Sequence, residues 1–401
     1  MSNKEVIAIS GSLTKATVGR RSILRTAALG TVGFVSAPFI VGRASAATAV
    51  KIAQTEALTG PSSAYGLRCR DGALMAVEET NAAGGFKDSK GTPYILELTT
   101  EDMANDARQA VTLYRQHALN ADIVAQIGPA NSVGYVPTVP LAGQLKLPLI
   151  GAAGAPVKRW TEWAYRVNAV SGTATPVLLD KVVAKEHVKR LGVIYDQTQD
   201  AQVGDADVCQ ALKGKLGYEI VAYQAFNGGD QDFAPQLTTI KGAKPDAIYV
   251  ASTTGDGIKI TSQIRAMGLQ QPLLTGYGNF QDPLYWDGTS GGIRNCYTWT
   301  GRDYKDAQGA VADWLGRYAK RFKLEVTTYS SYGYDSVFCV VEAVKRANGT
   351  DRNKINEVLK SIDFTSPLGS HITFKNPPTG ENQTPPITIL QITDRGAYTK
   401  L

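Results

Sequence analysis

Beyond Ala49 the chain alternates short apolar runs with longer amphipathic stretches. The apolar runs predict strands at VKIAQT (50–55), YILELTT (94–100), DIVAQIG (122–128), LPLIG (147–151), RLGVIYD (190–196), EIVAYQAF (219–226), DAIYVAS (246–252), PLLTG (272–276) and NCYTWT (295–300). Helical periodicity fills the intervals at 68–81, 104–120, 173–189, 205–216, 233–241 and 256–267. Strands separated by helices of this length need crossover connections, so the sheets should be parallel with helices on both faces. Local signals agree. Leu67, Leu74 and Val77 share a helix face with Ala73, NAAGG supplies a glycine stop, and Asp232 before Phe233 reads as an N-cap. After Gly301 the pattern is helical at 307–322, 329–348 and 353–361, and the tail returns to short strands between proline-rich turns.

Nine strand candidates are many for one open sheet and natural for two smaller ones. YRVNAVSGTATP (165–176) marks a boundary. Each such sheet offers a crevice at the carboxyl ends of its strands, and two facing crevices can clamp one small molecule. The loop EALTGPSSAYG (56–66) lies at such an edge. It has neither the three glycines of G-x-G-x-x-G nor the G-K-[ST] of a phosphate loop, so a nucleotide is not indicated.

The net charge of +6 is concentrated at the start of the chain. Residues 1–46 hold Lys4, Lys15, Arg20, Arg21, Arg25 and Arg43 against Glu5, which leaves about +1 for the rest. Neither nucleic acid nor an anionic membrane is implied as a partner. The order of this segment is that of an export signal: a basic stretch, GRRSILR, a weakly apolar run over 26–42 broken by Gly30, Gly33 and Pro38, then ASA at 44–46. The Arg20-Arg21 pair followed by Ile23-Leu24-Arg25 resembles a twin-arginine signal, with Gly19 and Ile23 departing from the commonest residues. The run is shorter than the ~20 residues a membrane span needs. Cleavage after Ala46 and a mature protein free in the periplasm are therefore expected. Cys69, Cys209, Cys296 and Cys339 form no C-x-x-C, and neither metal nor cofactor is indicated.

Several segments together resemble the periplasmic Leu/Ile/Val-binding-type proteins, which deliver solutes to ATP-driven (ABC) importers. They are VKIAQTEALTGPSSAYGLRCRDGALMAVEETNAAGGF, IGPANSVGYVPTVPLAGQLKLPLIGAAGAP, GGDQDFAPQLTTIKGAKPDAIYV, IRAMGLQQPLLTG and YGYDSVFCVVEAVKRANGTD, in that family's order across 50–380. The resemblance implies an α/β type I periplasmic binding fold: two Rossmann-like lobes, each a parallel sheet flanked by helices, joined by three crossings of a hinge. It puts lobe 1 at 50–170 and 302–366 and lobe 2 at 171–301 and 367–401. It implies a monomer that binds a small carboxylate-bearing solute, with a branched-chain amino acid the first candidate and an organic or aromatic acid the next, and that docks on a membrane permease.

Carried over residue by residue, the resemblance gives lobe 1 the ligand contacts Tyr65, Asn131 and Ser132 of PANS, and Ala153 and Gly154 of GAAGAP. Gly154 stands where the family usually bears a hydroxyl, so only backbone N–H groups remain to donate there. In lobe 2 it gives Asp200, where an aromatic is common, Thr253 and Thr254, and Tyr277-Gly278, where the amino-acid binders place an acid for the ligand ammonium. A buried ammonium without a counter-charge is costly, so the ligand either lacks the amine or pairs it with Asp200. Bland roles stand beside these: Ser132 as a helix N-cap, Tyr65 as a half-buried loop aromatic, Asp200 as a solvated acid. A hydrolase is the competitor from another class, but His117, His187 and His371 are accompanied by no G-x-S-x-G or H-E-x-x-H. A sensor of the same fold is the other, since fold alone does not separate transport from sensing.

Overall fold

A computed structural model describes residues 47–375 and 379–401. The predicted export signal, residues 1–46, lies outside the described residues. The first sheet is built from β1 (Thr48–Glu56), β2 (Phe86–Lys87), β3 (Pro93–Asp102), β4 (Ile123–Ile127), β5 (Leu149–Gly151) and β6 (Ala164–Arg166), in the order β2-β3-β1-β4-β5-β6. All pairings are parallel except the short edge strand β2. Its crossovers carry α1 (Ser63–Ala82), α2 (Ala107–Leu119) and α3 (Ser132–Leu145).

The second sheet follows α4 (Ser171–Glu186) and alternates β7 (Arg190–Asp196), α5 (Asp200–Leu212), β8 (Glu219–Phe226), α6 (Ala234–Gly242), β9 (Ala247–Ala251), α7 (Thr254–Ala266), β10 (Leu273–Thr275), α8 (Pro283–Gly288) and β11 (Tyr297–Thr300). The chain then makes α9 (Gly309–Phe322), α10 (Thr328–Ala347) and α11 (Arg352–Leu359), a small hairpin of β12 (Asp363–Thr365) and β13 (His371–Thr373), and finally β14 (Thr388–Asp394) and β15 (Ala397–Lys400). The second sheet runs β15-β14-β11-β10-β9-β7-β8, with its last two strands antiparallel. Each sheet is thus parallel at its centre and closed by antiparallel strands at one edge, a detail that the predicted all-parallel pattern lacked.

The local chemistry accounts for these elements. AIYVA in β9 is buried at every position, as a strand covered on both faces requires. Asp106 caps α2 by accepting from the N–H groups of Arg108 and Gln109. The glycine stop of α1 is present: the N–H of Gly85 bonds to the carbonyl of Thr80 beyond the last turn. Asp232 does accept from the N–H of Ala234, but Phe233 occupies the N-cap position of α6. Other features differ from the pattern. Helix α1 begins at Ser63, α5 begins at Asp200, and α3 tolerates Pro137 and Pro140 inside it. All four cysteines are buried free thiols.

The chain passes between the sheets after β6, after β11 and after β13. The first and third passages are tied together: Arg166 N–H bonds to Gly380 O at 2.9 Å, and Asn382 N–H returns to Arg166 O at 2.9 Å. The Arg166 guanidinium also pairs with Glu381. At the second passage Arg302 Nη1 donates to Leu368 O at 2.6 Å.

Helices α1 and α10 pack backbone to backbone. A Cβ on Gly333 would lie 1.9 Å from Cys69 O, and one on Gly72 would lie 1.8 Å from Ser330 O. Gly333→Ala is accordingly expected to lower unfolding stability by about 1–3 kcal/mol through overpacking. Gly316→Ala, on exposed helix surface with nothing nearby, should instead stabilise by up to about 1 kcal/mol. Denaturant titration of the two variants checks both signs.

Candidate functional site

The carboxyl ends of the two sheets face each other across a narrow gap. From the first sheet's side it is lined by Ser62 and Tyr65 around the start of α1, by Ala130, Asn131 and Ser132 after β4, and by Gly154 after β5. The opposite wall consists of Gln199, Ala201 and Gln202 at the start of α5, Thr253 before α7 and Tyr277 after β10, with Tyr329 of α10 alongside. No carboxylate, ammonium, guanidinium or imidazole is among these residues. The wall is made of hydroxyls, primary amides, small residues and three phenol rings. Tyr65 and Tyr329 stack at 4.6 Å and 21°.

Tyr65 joins the two sides. Its hydroxyl donates to Asn279 Oδ1 at 2.7 Å and accepts from the N–H of Thr254 at 3.1 Å. Thr254 Oγ1 donates to the same Asn279 oxygen at 3.1 Å, and Asn279 Nδ2 donates to Ser252 O at 3.0 Å. Burial pushes the Tyr65 phenol up to about 12, so it stays a neutral donor. One turn along α1, Arg68 approaches Asp282 of the second lobe at 3.9 Å, both side chains nearly buried. Burial raises the Asp282 carboxyl and Arg68 opposes that rise.

The first lobe's floor is shaped to donate. Asn131 is the N-cap of α3 and accepts from Gly134 N–H at 3.1 Å. Ser132 is therefore not the cap. Its Oγ accepts from Ala155 N–H at 3.1 Å, which leaves its own proton free to donate. Among the described residues the N–H groups of Ala153 and Gly154 donate to no protein acceptor. Three further lining atoms are buried without a partner among the described residues: Ser62 Oγ, Thr253 Oγ1 and Gln202 Oε1. A buried polar group left unpaired costs about 1–3 kcal/mol, so these three atoms are free to meet a polar guest.

Two buried acids stand behind the walls. Glu56 accepts from Ala130 N–H at 2.8 Å, and burial raises its carboxyl to about 8. Asp205 accepts from Thr175 Oγ1 at 2.6 Å, and burial raises it to about 7. Neither lines the gap.

The sequence expectations therefore divide. Tyr65, Asn131, Ser132, Gly154, Thr253 and Tyr277 line the gap. Thr254 does not; it acts behind the wall through Tyr65 and Asn279. The Ala153 side chain does not line it either, and its carbonyl is held by Arg166 and Asn168. Gly278 points away, its N–H bonded to Trp299 O at 2.7 Å. Asp200 is exposed, because α5 starts at Asp200 and the helix turns Gln199, Ala201 and Gln202 inward instead. The sequence reading passed over Ser62, Ala130, Gln199, Ala201, Gln202 and Tyr329; the Gln199–Gln202 spacing of three and the tyrosines at 329 and 332 were the available signals. His117 is engaged by Gln126 and Glu101, His371 is exposed beside Asp363, and His187 ends α4, so none lines the gap. Among the described residues no cluster of three metal-ligating side chains occurs, and no helix is long and apolar enough to cross a membrane.

Residues 49–397 match the family model described as periplasmic binding protein. The chain belongs to that family. Membership implies a periplasmic location. The chain is 27% identical over 365 residues to a Leu/Ile/Val-binding protein homolog of Brucella melitensis, covering 88% of this chain and 94% of the relative. It is 24% identical over 354 residues to the leucine-, isoleucine-, valine-, threonine- and alanine-binding protein of Pseudomonas aeruginosa, covering 86% and 89%. Its fold matches a branched-chain amino acid transporter substrate-binding protein of Streptococcus pneumoniae solved with isoleucine, at TM-score 0.76, 24% identity and coverage of 88% and 100%. It also matches a solute-binding protein of Rhodopseudomonas palustris solved with 3,4-dihydroxybenzoic acid, at TM-score 0.76, 21% identity and coverage of 88% and 96%.

The buried acids give this family member a pH signature. Glu56 and Asp205 bind protons more tightly folded than unfolded, so the stability they contribute is complete below about pH 4 and is lost as pH rises through about 7 to 8. Thermal melts should therefore show the protein weakening between pH 5 and 8, with Glu56→Gln and Asp205→Asn each flattening that decline.

Proposed function

We propose that this protein is the substrate-binding component of an ABC importer. It captures a small carboxylate-bearing solute between its lobes and hands it unchanged to a membrane permease. The observation that carries this reading is the set of unpartnered buried polar atoms in a gap without charged side chains. Ser132 Oγ and the N–H groups of Ala153 and Gly154 would hold the carboxylate, aided by the amino end of α3. The rings of Tyr65, Tyr329 and Tyr277 would flank the body of the ligand, and Ser62, Thr253 and Gln202 would meet its remaining polar atoms. No acid on the wall can neutralise an ammonium, so an aliphatic or aromatic organic acid fits better than a zwitterion. The amino-acid reading is kept as the second because the curated relatives carry amino-acid names.

The purified protein is expected to melt higher with at least one member of a panel of organic acids and amino acids, since a ligand at 100 times its Kd adds ~2.7 kcal/mol to the native state. Recovery of that ligand intact after long incubation supports binding without turnover. No shift across the panel overturns the assignment, and a hydrolysed ester or amide would favour an enzyme. Ser132→Ala should weaken a carboxylate ligand by about tenfold or more, from ~1.5–3 kcal/mol per charged hydrogen bond, and its primary amide by less.

We also infer that residues 1–46 direct export by the twin-arginine route. Replacing Arg20 and Arg21 together by lysine should leave the precursor in the cytoplasm on cell fractionation. An undiminished periplasmic yield would point to another export route.

A further inference from the structure

Gly154 and Tyr277 meet across the gap in a way that neither backbone explains alone. A Cβ built on Gly154 would lie 2.1 Å from Cε1, 2.3 Å from the hydroxyl oxygen and 2.4 Å from Cζ of Tyr277. Gly154 is not in the left-handed region, so its backbone would accept any residue; the three atoms nearest a side chain there all belong to Tyr277. Tyr277, by contrast, does sit at φ +60°, a conformation that a bulky residue rarely holds. The turn that imposes it is fixed by Gly278 N–H to Trp299 O at 2.7 Å and Asn279 N–H to Gly276 O at 3.2 Å. The phenol is pinned to the Ser171 hydroxyl, and the ring lies on Trp299 at 4.6 Å and 55°. The second lobe thus holds this ring rigidly in space that belongs to residue 154 of the first lobe.

We propose that Tyr277 and Gly154 form a steric interlock between the lobes that selects ligands without an amine next to the carboxylate. The ligand part rests on the binding function proposed above; the interlock itself does not. A carboxylate held by the Gly154 N–H has the Tyr277 ring beside it, so a substituent on the adjacent carbon meets a fixed, uncharged aromatic edge. An ammonium there would lose its hydration and gain no counter-charge. A flat or unbranched carbon next to the carboxylate fits without displacing the ring. Any side chain at 154 would hold the lobes apart unless the ring were also removed.

The test is a double-mutant cycle on Gly154→Ser and Tyr277→Ala, read in two ways. Without ligand, Gly154→Ser should destabilise the protein in denaturant titration when Tyr277 is present and have at least tenfold less effect on the unfolding equilibrium in the Tyr277→Ala background. Equal effects in the two backgrounds overturn the interlock whatever the ligand. With ligand, the probes are two matched pairs, 4-methylpentanoate with L-leucine and phenylacetate with L-phenylglycine, measured by calorimetry. The unsubstituted protein should bind the amine-free member of at least one pair tenfold or more tightly. Tyr277→Ala should bring the two members within threefold of each other, while Tyr277→Phe, which keeps the ring, should preserve the preference. Preference for the amine-bearing members, a ratio unmoved by Tyr277→Ala, or binding of neither pair overturns the selectivity. A preserved coupling in the ligand-free arm would then still uphold the interlock, so the two failures are distinguishable. Gly154→Ala, with a smaller intrusion, should show the same pattern reduced in size if Gly154→Ser fails to fold.

Discussion

When two polar surfaces close on each other, every donor and acceptor they strip of water must find a partner or be left unpaired at a cost. The Tyr65 hydroxyl meets that constraint for the closed molecule by serving two masters on the far side, donating to Asn279 and accepting from Thr254 N–H. Asn279 in turn uses its amide on Ser252 O, so the bridge ends in backbone rather than in solvent. The rest of the gap follows from this seal. Beyond it lie Ser62, Gln202 and Thr253, buried by closure yet unmatched by protein. A surface that satisfies its rim and leaves its centre unmatched is built around something else.

The electrostatic character of that centre is set by exclusion. Charges are present nearby, but each is kept off the wall. Glu56 is turned to the amide of Ala130, Asp205 is held by Thr175, and Arg68 faces Asp282 across the lobes. Burial without a strong cation favours the neutral form of both carboxyls. What reaches the guest is therefore a field of oriented dipoles, helix termini and hydroxyls rather than net charge. Such a wall would suit a single anion better than a zwitterion, as proposed above.

The architecture was legible in the sequence because it depends on periodicity, which survives tertiary packing. Nine apolar runs became strands, and the crossover logic sorted them into two parallel-centred sheets. The edge strands were less visible: β2 and β6 have two and three residues and no alternation to read. Helix α3 was obscured by Pro137 and Pro140, which are tolerated where neighbouring structure holds the turn. Half-lit best describes the site. Residues placed by a loop at a strand end, such as Tyr65, Ser132 and Tyr277, could be named in advance. Residues placed by helix phase could not: shifting the start of α5 from 205 to 200 sends Asp200 outward and brings Gln199 and Gln202 in. Tyr329 contributes from a helix more than 250 positions away, which no local pattern reports.

The order of assembly follows from the far edge of the second sheet. Strand β14 (from residue 388) pairs onto β11, made almost a hundred residues earlier, and β15 pairs onto β14. Helix α10, against which α1 rests, is also a late product of synthesis. Neither half is complete until late in translation. A nascent chain would carry both sheets with open flanks until its final residues emerged, and would depend on chaperones or rapid release to escape sticking to its neighbours.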